Sequence, residues 1–157
     1  MQLYVLLASV LPLLAAASPI QPRAGGPIAE PIPSNCTLIN PLPHASCGNA
    51  TTSGYMPTSN FTATNLVYSA YFEGFLSQPA QATECMQQCY GFGDKGDCKS
   101  ALLGYRIPTP KGYYGTVGGD LETACLLYGA YLNPNVFVPA PSGQYVNATA
   151  QNIYCSV

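Results

Sequence analysis

The sequence is poor in charged residues. They make up 8% of the 157-residue chain, and the formal net charge is −2. A nucleic-acid-binding face needs clustered Lys and Arg side chains, so this composition excludes an electrostatic nucleic-acid binder. Disorder requires low hydrophobicity together with high net charge, whereas 48% of these residues are hydrophobic. The composition therefore predicts a folded protein with a nearly neutral surface.

Side chains for acid–base catalysis are equally scarce. The one histidine is His44, and in a proline-rich segment we expect it to be solvated rather than held against a nucleophile. Two acidic pairs are candidates for glycosidase carboxylates or a cation site: Asp94 with Asp97, and Asp120 with Glu122. Asp beside Gly ordinarily forms turns, and no phosphate-binding Gly-x4-Gly-Lys-Ser/Thr loop occurs. We therefore predict no catalytic residue, no metal and no cofactor.

Long apolar runs are absent except at the amino terminus. Residues 3–17 are predominantly apolar and end in three alanines. A run of about 15 such residues is typical of a signal peptide and is shorter than the roughly 20 that a membrane-spanning helix needs. We predict a signal peptide over residues 1–17, no membrane insertion, and a secreted, extracellular protein.

Four Asn-x-Thr sequons agree with secretion, because such sites accept glycans in the secretory pathway. The predicted acceptors are Asn35, Asn49, Asn60 and Asn147. Since Cys36 is the middle residue of the first sequon, we expect glycosylation of Asn35 to compete with oxidation of that cysteine.

Proline divides the mature chain into two parts. Seven prolines lie between residues 18 and 43, and proline fixes φ and removes a backbone donor. We predict a proline-rich, extended leader over residues 18–46 and one folded domain over residues 47–157.

The domain is predicted to be α+β. Apolar and aromatic runs predict strands at 66–72, 98–107 and 124–131, and short strands at 145–148 and 153–155. Ser77 as N-cap, with Pro79 in the first turn, predicts a helix that ends before Gly91. Cys85 and Cys89 are four residues apart and therefore lie on one face of this helix. The predicted core residues are Met86, Leu102, Leu103, Leu126, Leu127 and Tyr128.

A long loop over residues 108–119 carries Tyr113 and Tyr114 between two glycines. Tyrosines in this setting are candidates for stacking on a sugar ring or for anchoring a protein contact. The alternative is that one tyrosine folds back onto the sheet and the other is merely exposed.

The chain has seven cysteines, all of them beyond the predicted signal peptide. In an oxidising compartment they are expected to pair, and a Cys-x3-Cys spacing without a nearby histidine argues against zinc. Spacing alone does not assign the pairs, and the odd number leaves one cysteine over.

Three short motifs carry a family resemblance. They are ECMQQC at 84–89, DCKS at 97–100 and ACLLY at 124–128, and Cys47-Gly48 precedes them. Together they resemble the PAN/apple-like modules of secreted fungal proteins, over about Cys47 to Cys155. The resemblance implies a twisted antiparallel sheet cradling one helix and stapled by disulfides.

The resemblance also implies a disulfide pattern. The implied bridges are Cys85–Cys125, Cys89–Cys98 and Cys47–Cys155. Cys36 is then the cysteine left over, as a free thiol, capped, or paired between chains, although it competes with Cys47 for Cys155.

The function implied by the resemblance is that of a non-catalytic module that recognises carbohydrate or protein at the cell surface or wall. Two alternatives stay open. One is a structural or effector-type glycoprotein without a defined ligand pocket, and the other is a small hydrolase, which would need two convergent acids or His44 docked on the sheet.

Overall fold

The computed structural model describes residues 26–43, 54–72 and 77–156. The predicted signal peptide, His44, Cys47 and Asn49 lie outside these ranges, so the expectations for them stay predictions.

Two α-helices and seven strands make up the described fold. The helices are α1 (Ser59–Asn65) and α2 (Gln78–Tyr90). The strands are β1 (Cys36–Ile39), β2 (Tyr55–Pro57), β3 (Leu66–Phe72), β4 (Ser100–Pro108), β5 (Leu121–Tyr128), β6 (Phe137–Pro139) and β7 (Val146–Cys155). Five strands form one sheet in the order β1-β7-β4-β5-β3, and β2 pairs with β6 in a separate ribbon. Every described pairing is antiparallel, so the predicted α+β class with an antiparallel sheet is confirmed.

Helix α2 covers one face of the sheet. Ser77 precedes it in an extended conformation, and the helix ends where the Gly91 N–H donates to Gln87 O at 3.0 Å. Its buried face contains Cys85, Met86 and Cys89, as the i, i+4 spacing predicts. These residues pack against alternate residues of the central strands, which are Ala101, Leu103, Cys125, Leu127 and Ile153.

The opposite face of the sheet is also covered, by α1 and the β2–β6 ribbon. Leu102, Leu126 and Tyr128 form this second core layer, and the Phe61 ring of α1 lies 5.5 Å from the Tyr128 ring. A sheet buried on both faces needs apolar residues at successive positions, which explains the continuous apolar runs of β4 and β5. The second helix is a difference from the single helix that the resemblance implies.

Several predicted elements are confirmed. Strand β3 and helix α2 lie where the sequence places them, and all six predicted core residues are buried. The two short strands predicted near the carboxyl end are instead one strand, β7. Its polar interior is accommodated because the buried Asn152 side chain accepts from Leu132 N at 3.0 Å and donates to Leu132 O at 2.8 Å.

The predicted leader contains part of the sheet. Strand β1 pairs along β7, with Cys36 opposite Cys155. Ahead of it, Ile32 packs on the core below α2, and the Glu30 N–H donates to Gln87 O at 3.1 Å. The folded unit therefore begins before the predicted boundary at residue 47.

This register also corrects one disulfide. The third bridge is Cys36–Cys155, so the implied Cys47–Cys155 pairing is wrong, and Cys36 is not the cysteine left over. The physical reason is that the β1–β7 pairing sets the two Cα atoms 3.9 Å apart. The chain's resemblance to a module opening at Cys47 could not reveal a strand upstream of that residue.

The other two implied bridges are confirmed. Cys85–Cys125 joins α2 to β5, and Cys89–Cys98 joins α2 to the turn before β4. All four cysteines are buried. Bridges of this kind contribute about 2–4 kcal/mol each, largely by restricting the unfolded chain.

Candidate ligand-binding surfaces

The loop between β4 and β5 is held by backbone hydrogen bonds. At its base the Thr109 N–H donates to Asp120 O and the Gly119 N–H donates to Thr109 O, both at 2.8 Å. At its tip the Gly112 N–H donates to Thr116 O at 2.9 Å. Hydrogen bonds therefore restrain the loop both at its base and at its tip.

Tyr113 anchors this loop to the sheet. Its hydroxyl oxygen accepts from the Tyr71 N–H at 3.1 Å, and the two rings meet edge to face with centroids 4.8 Å apart. Strand β3 is an edge strand, so this bond satisfies a backbone donor that would otherwise be unpaired. Burial raises the pKa of the Tyr113 hydroxyl.

Tyr114 is presented outward by the same loop. Its side chain is 89% exposed, and its ring lies 4.6 Å from the Tyr113 ring. Its φ of +46° is left-handed, a conformation that costs an ordinary residue about 1–2 kcal/mol. Val117 is also 89% exposed. We call Tyr114 and Val117, with Tyr113 behind them, the loop surface. One tyrosine is folded back and the other is exposed, which is the alternative arrangement that the sequence allows.

The tyrosines under the loop surface stay neutral at physiological pH. Burial, with smaller contributions from Tyr145 and Tyr113, raises the pKa of Tyr71 to about 12. Burial likewise raises the pKa of Tyr145 and that of Tyr128, whose backbone lies at the other end of β5, opposite Ser100. This end of the protein therefore offers rings and hydroxyl groups rather than charge.

A pocket of about 350 Å³ opens at the opposite end of the sheet. We call it the bridge pocket, because both Cys36–Cys155 and Cys98 of the Cys89–Cys98 bridge line it. Its other main lining residues are Asn35, Tyr90, Lys95, Lys99, Tyr131 and Ser156. No prediction from the sequence points to this pocket. Its only sequence signal is the pair of lysines that flank Cys98, in a chain with five cationic residues.

The acidic pairs do not converge on a cleft that the structure describes. The Asp97 carboxylate accepts from the Asp94 N–H at 2.9 Å, so it holds a turn. Asp120 lies in the loop base, and Glu122 lies in β5. Within the described ranges, no group of three His, Cys, Asp or Glu side chains is placed to hold a metal ion.

Three of the four predicted glycan acceptors are described, and all three are exposed: Asn35, Asn60 and Asn147. They differ in their contacts. The Asn35 Nδ2 donates to Ser156 O at 3.0 Å. Asn147 has a left-handed φ of +48°, and Asn60 lies in α1.

Among the helices of residues 26–43, 54–72 and 77–156, none is both long and apolar enough to cross a membrane. Comparison of the chain with protein-family models, with curated proteins and with solved structures finds no match.

Proposed function

We propose that this chain is a secreted, non-catalytic binding module of PAN/apple-like architecture, which recognises carbohydrate or protein at the cell surface or wall. The observation that carries the proposal is the loop surface. It presents an exposed aromatic ring on a hydrogen-bonded frame, and aromatic side chains of this kind dominate recognition sites.

The order of the loop favours binding over a purely structural role. Binding pays an entropic cost for every group that must be immobilised. Tyr113 is already fixed by its bond to Tyr71 N, and its ring supports Tyr114. The backbone that carries Tyr114 is therefore already ordered before a ligand stacks on its ring.

Two further features support the proposed secretion and the proposed architecture. Three disulfides are compatible with an oxidising, extracellular compartment. The bridges Cys85–Cys125 and Cys89–Cys98, which tie one helix to an antiparallel sheet, agree with what the PAN/apple-like resemblance implies.

The test is a pull-down of the glycosylated, secreted protein on insoluble chitin, β-glucan and cellulose. The variant Tyr114→Asn removes the ring, while asparagine tolerates the left-handed backbone. We expect wild-type retention on at least one polymer and a loss of about fivefold to tenfold in the variant, as for an aromatic contact worth roughly 1–1.5 kcal/mol.

The matched control is Ile28→Asn, which removes an apolar side chain that is 77% exposed and belongs neither to the loop surface nor to the bridge pocket. It should bind these neutral polymers as wild type does. If the wild-type protein is retained on none of the polymers, the proposal of a carbohydrate ligand fails, and binding to a protein partner is tested next. Equal retention of wild type and Tyr114→Asn contradicts the assignment of the loop surface.

A further inference from the structure

Two lysines line the bridge pocket. The structure describes four cationic side chains: Lys95, Lys99, Arg106 and Lys111. Two of them, Lys95 and Lys99, line the pocket, and none of its described lining residues is acidic. Lys95 pairs with Glu30 at 2.7 Å, but Lys99 forms no ion pair within the described ranges. In a chain of net charge −2, this pocket is suited to an anionic group.

Each ammonium group lies beside an aromatic ring. Lys95 Nζ is 3.9 Å from the centroid of the Tyr90 ring, and Lys99 Nζ is 5.7 Å from that of Tyr131. Tyr131 is 41% exposed. It stacks on Tyr154 with centroids 4.4 Å apart and an interplanar angle of 16°. The pair forms a stacked aromatic platform next to a cation, and Tyr131 is the ring of the pair that lines the pocket.

The backbone of Lys99 is fixed before any ligand arrives. The Lys99 N–H donates to Tyr128 O, and Lys99 O accepts from the Ile153 N–H, both at 2.9 Å. Lys99 is therefore paired to strands on both sides, while disulfides hold the two walls. Such preorganisation reduces the entropic cost of binding.

The remaining lining groups suit hydroxyls. Asn35 Nδ2 is engaged with Ser156 O, which leaves its amide oxygen as an acceptor. The Ser156 hydroxyl donates to Asn35 O at 3.2 Å, which leaves its lone pairs available. The volume of about 350 Å³ lies at the lower end of the range for small-molecule sites, so it suits one or two sugar rings rather than a folded partner.

We infer that the bridge pocket binds a saccharide unit carrying a carboxylate, with the sugar face on Tyr131 and the carboxylate beside Lys99. This site is separate from the loop surface and does not depend on the function proposed for it. A hydroxylated ring, rather than a peptide, is favoured because the pocket offers a ring platform and hydroxyl partners together with the cation.

The test is calorimetric titration of the full secreted chain with a galacturonic acid trimer, at about 0.15 M salt so that weakly held charges are screened. Any tag is inserted directly after the predicted signal peptide, because Ser156 lines the pocket. The methyl-esterified trimer is the matched ligand, since it keeps the sugar and removes the charge. We expect the ester to bind at least about tenfold more weakly, as for loss of a charged hydrogen bond.

The variants locate the site. Lys99→Met should weaken the trimer at least about tenfold, and Tyr131→Leu about fivefold. Lys111→Met makes the same charge change on the distant loop and should leave the dissociation constant within about twofold, since exposed charges so far apart are screened. Unchanged melting temperatures for the variants show that each is folded.

Three outcomes overturn the inference: equal binding of acid and ester, equal losses in Lys99→Met and Lys111→Met, or no binding of the trimer. Binding of a tri-glutamate peptide as tight as that of the trimer overturns the saccharide assignment. Tyr114→Asn serves to separate the two sites, because it should leave trimer binding unchanged even if the loop surface has no ligand.

Discussion

The two ends of the five-stranded sheet are stabilised in different ways. The end with the bridge pocket is closed by Cys36–Cys155 and by Cys89–Cys98. The end with the loop surface is held by hydrogen bonds, of which the Tyr71–Tyr113 bond is the one that reaches the sheet. Strand β5 connects them over eight residues, or about 25 Å at the usual rise of an antiparallel strand.

This difference has a consequence for recognition. Covalent closure lets the bridge pocket keep charged and exposed side chains without relying on them for its shape. The loop surface, in contrast, uses the same tyrosines for its shape and for contact. We therefore expect single substitutions to disturb the loop more readily than the pocket, whereas reduction should disturb the pocket more.

The largest effect is expected from removing the Cys36–Cys155 bridge. The double variant Cys36→Ser/Cys155→Ser should lose about 2–5 kcal/mol of unfolding free energy, because the bridge closes a separation of 119 residues. Denaturant unfolding measures the loss. Uronate binding should fall, while retention through Tyr114 should persist. Loss of both activities in a variant that is still folded would contradict the independence of the two ends.

Alkaline pH is expected to act next, through the buried tyrosines Tyr71 and Tyr128 of the sheet. Below pH ~10 the phenols are protonated in both the folded and unfolded states, so they make stability independent of pH. Above pH ~10 the phenol groups of the unfolded chain lose their protons at a lower pH than those of the folded chain. The reason is that burial raises the pKa of Tyr128 in the folded state and raises that of Tyr71 to about 12. Stability should therefore fall as pH rises from about 10 to 12, by up to about 1.4 kcal/mol per pH unit for the buried Tyr128.

Melting temperatures measured at a series of pH values, together with phenolate absorbance, test whether stability falls as the pH rises. Half-buried Tyr71 should contribute less than Tyr128, because solvent screens it. Tyr71→Phe should make the decline shallower. A melting temperature that is constant to pH ~12 would contradict the assigned burial of these hydroxyls.

A smaller effect is expected from Tyr113→Phe. The change leaves the Tyr71 N–H at the sheet edge without its acceptor, at a cost of about 0.5–1.5 kcal/mol. Hydrogen exchange at the Tyr71 amide should accelerate, and the loop surface should bind less well. Trimer binding at the bridge pocket is the internal control. If exchange at Tyr71 is unchanged, the hydrogen bond does not hold the loop.

The smallest effect is expected from Glu30→Gln, which removes the partner of Lys95. Both side chains are about half exposed or more, and exposed ion pairs contribute little to stability. We expect a melting temperature within about 1 °C of wild type. Without its partner, Lys95 should increase the affinity for the anionic trimer. Weaker trimer binding in this variant would contradict the assignment of the pocket to an anionic group.

The sequence predicts the parts of the fold that depend on local pattern. The cysteine spacing and Ser77 give α2 and its buried face, and the apolar runs give β3 and the core. It does not predict β1, because four residues beside prolines have little pattern of their own, and their strand exists only through pairing with β7. The Cys36–Cys155 bridge depends on that pairing and is missed for the same reason.

The candidate sites follow the same rule. Tyr113 and Tyr114 stand out because two tyrosines between glycines form a local signal. Which of them faces solvent depends on Tyr71, which is 42 residues from Tyr113 in sequence. The bridge pocket combines residues distant in sequence, such as Asn35 and Ser156, so the two lysines around Cys98 do not by themselves reveal it.

The most direct test of two independent sites is a crossed measurement of two variants against two ligands. Tyr114→Asn and Lys99→Met are each assayed for retention on the neutral polymer that wild type binds and for affinity toward the uronate trimer. We predict that Tyr114→Asn loses only polymer retention and that Lys99→Met loses only trimer affinity. If either variant, while folded, loses both activities to the same degree, the separation of the two ends is contradicted.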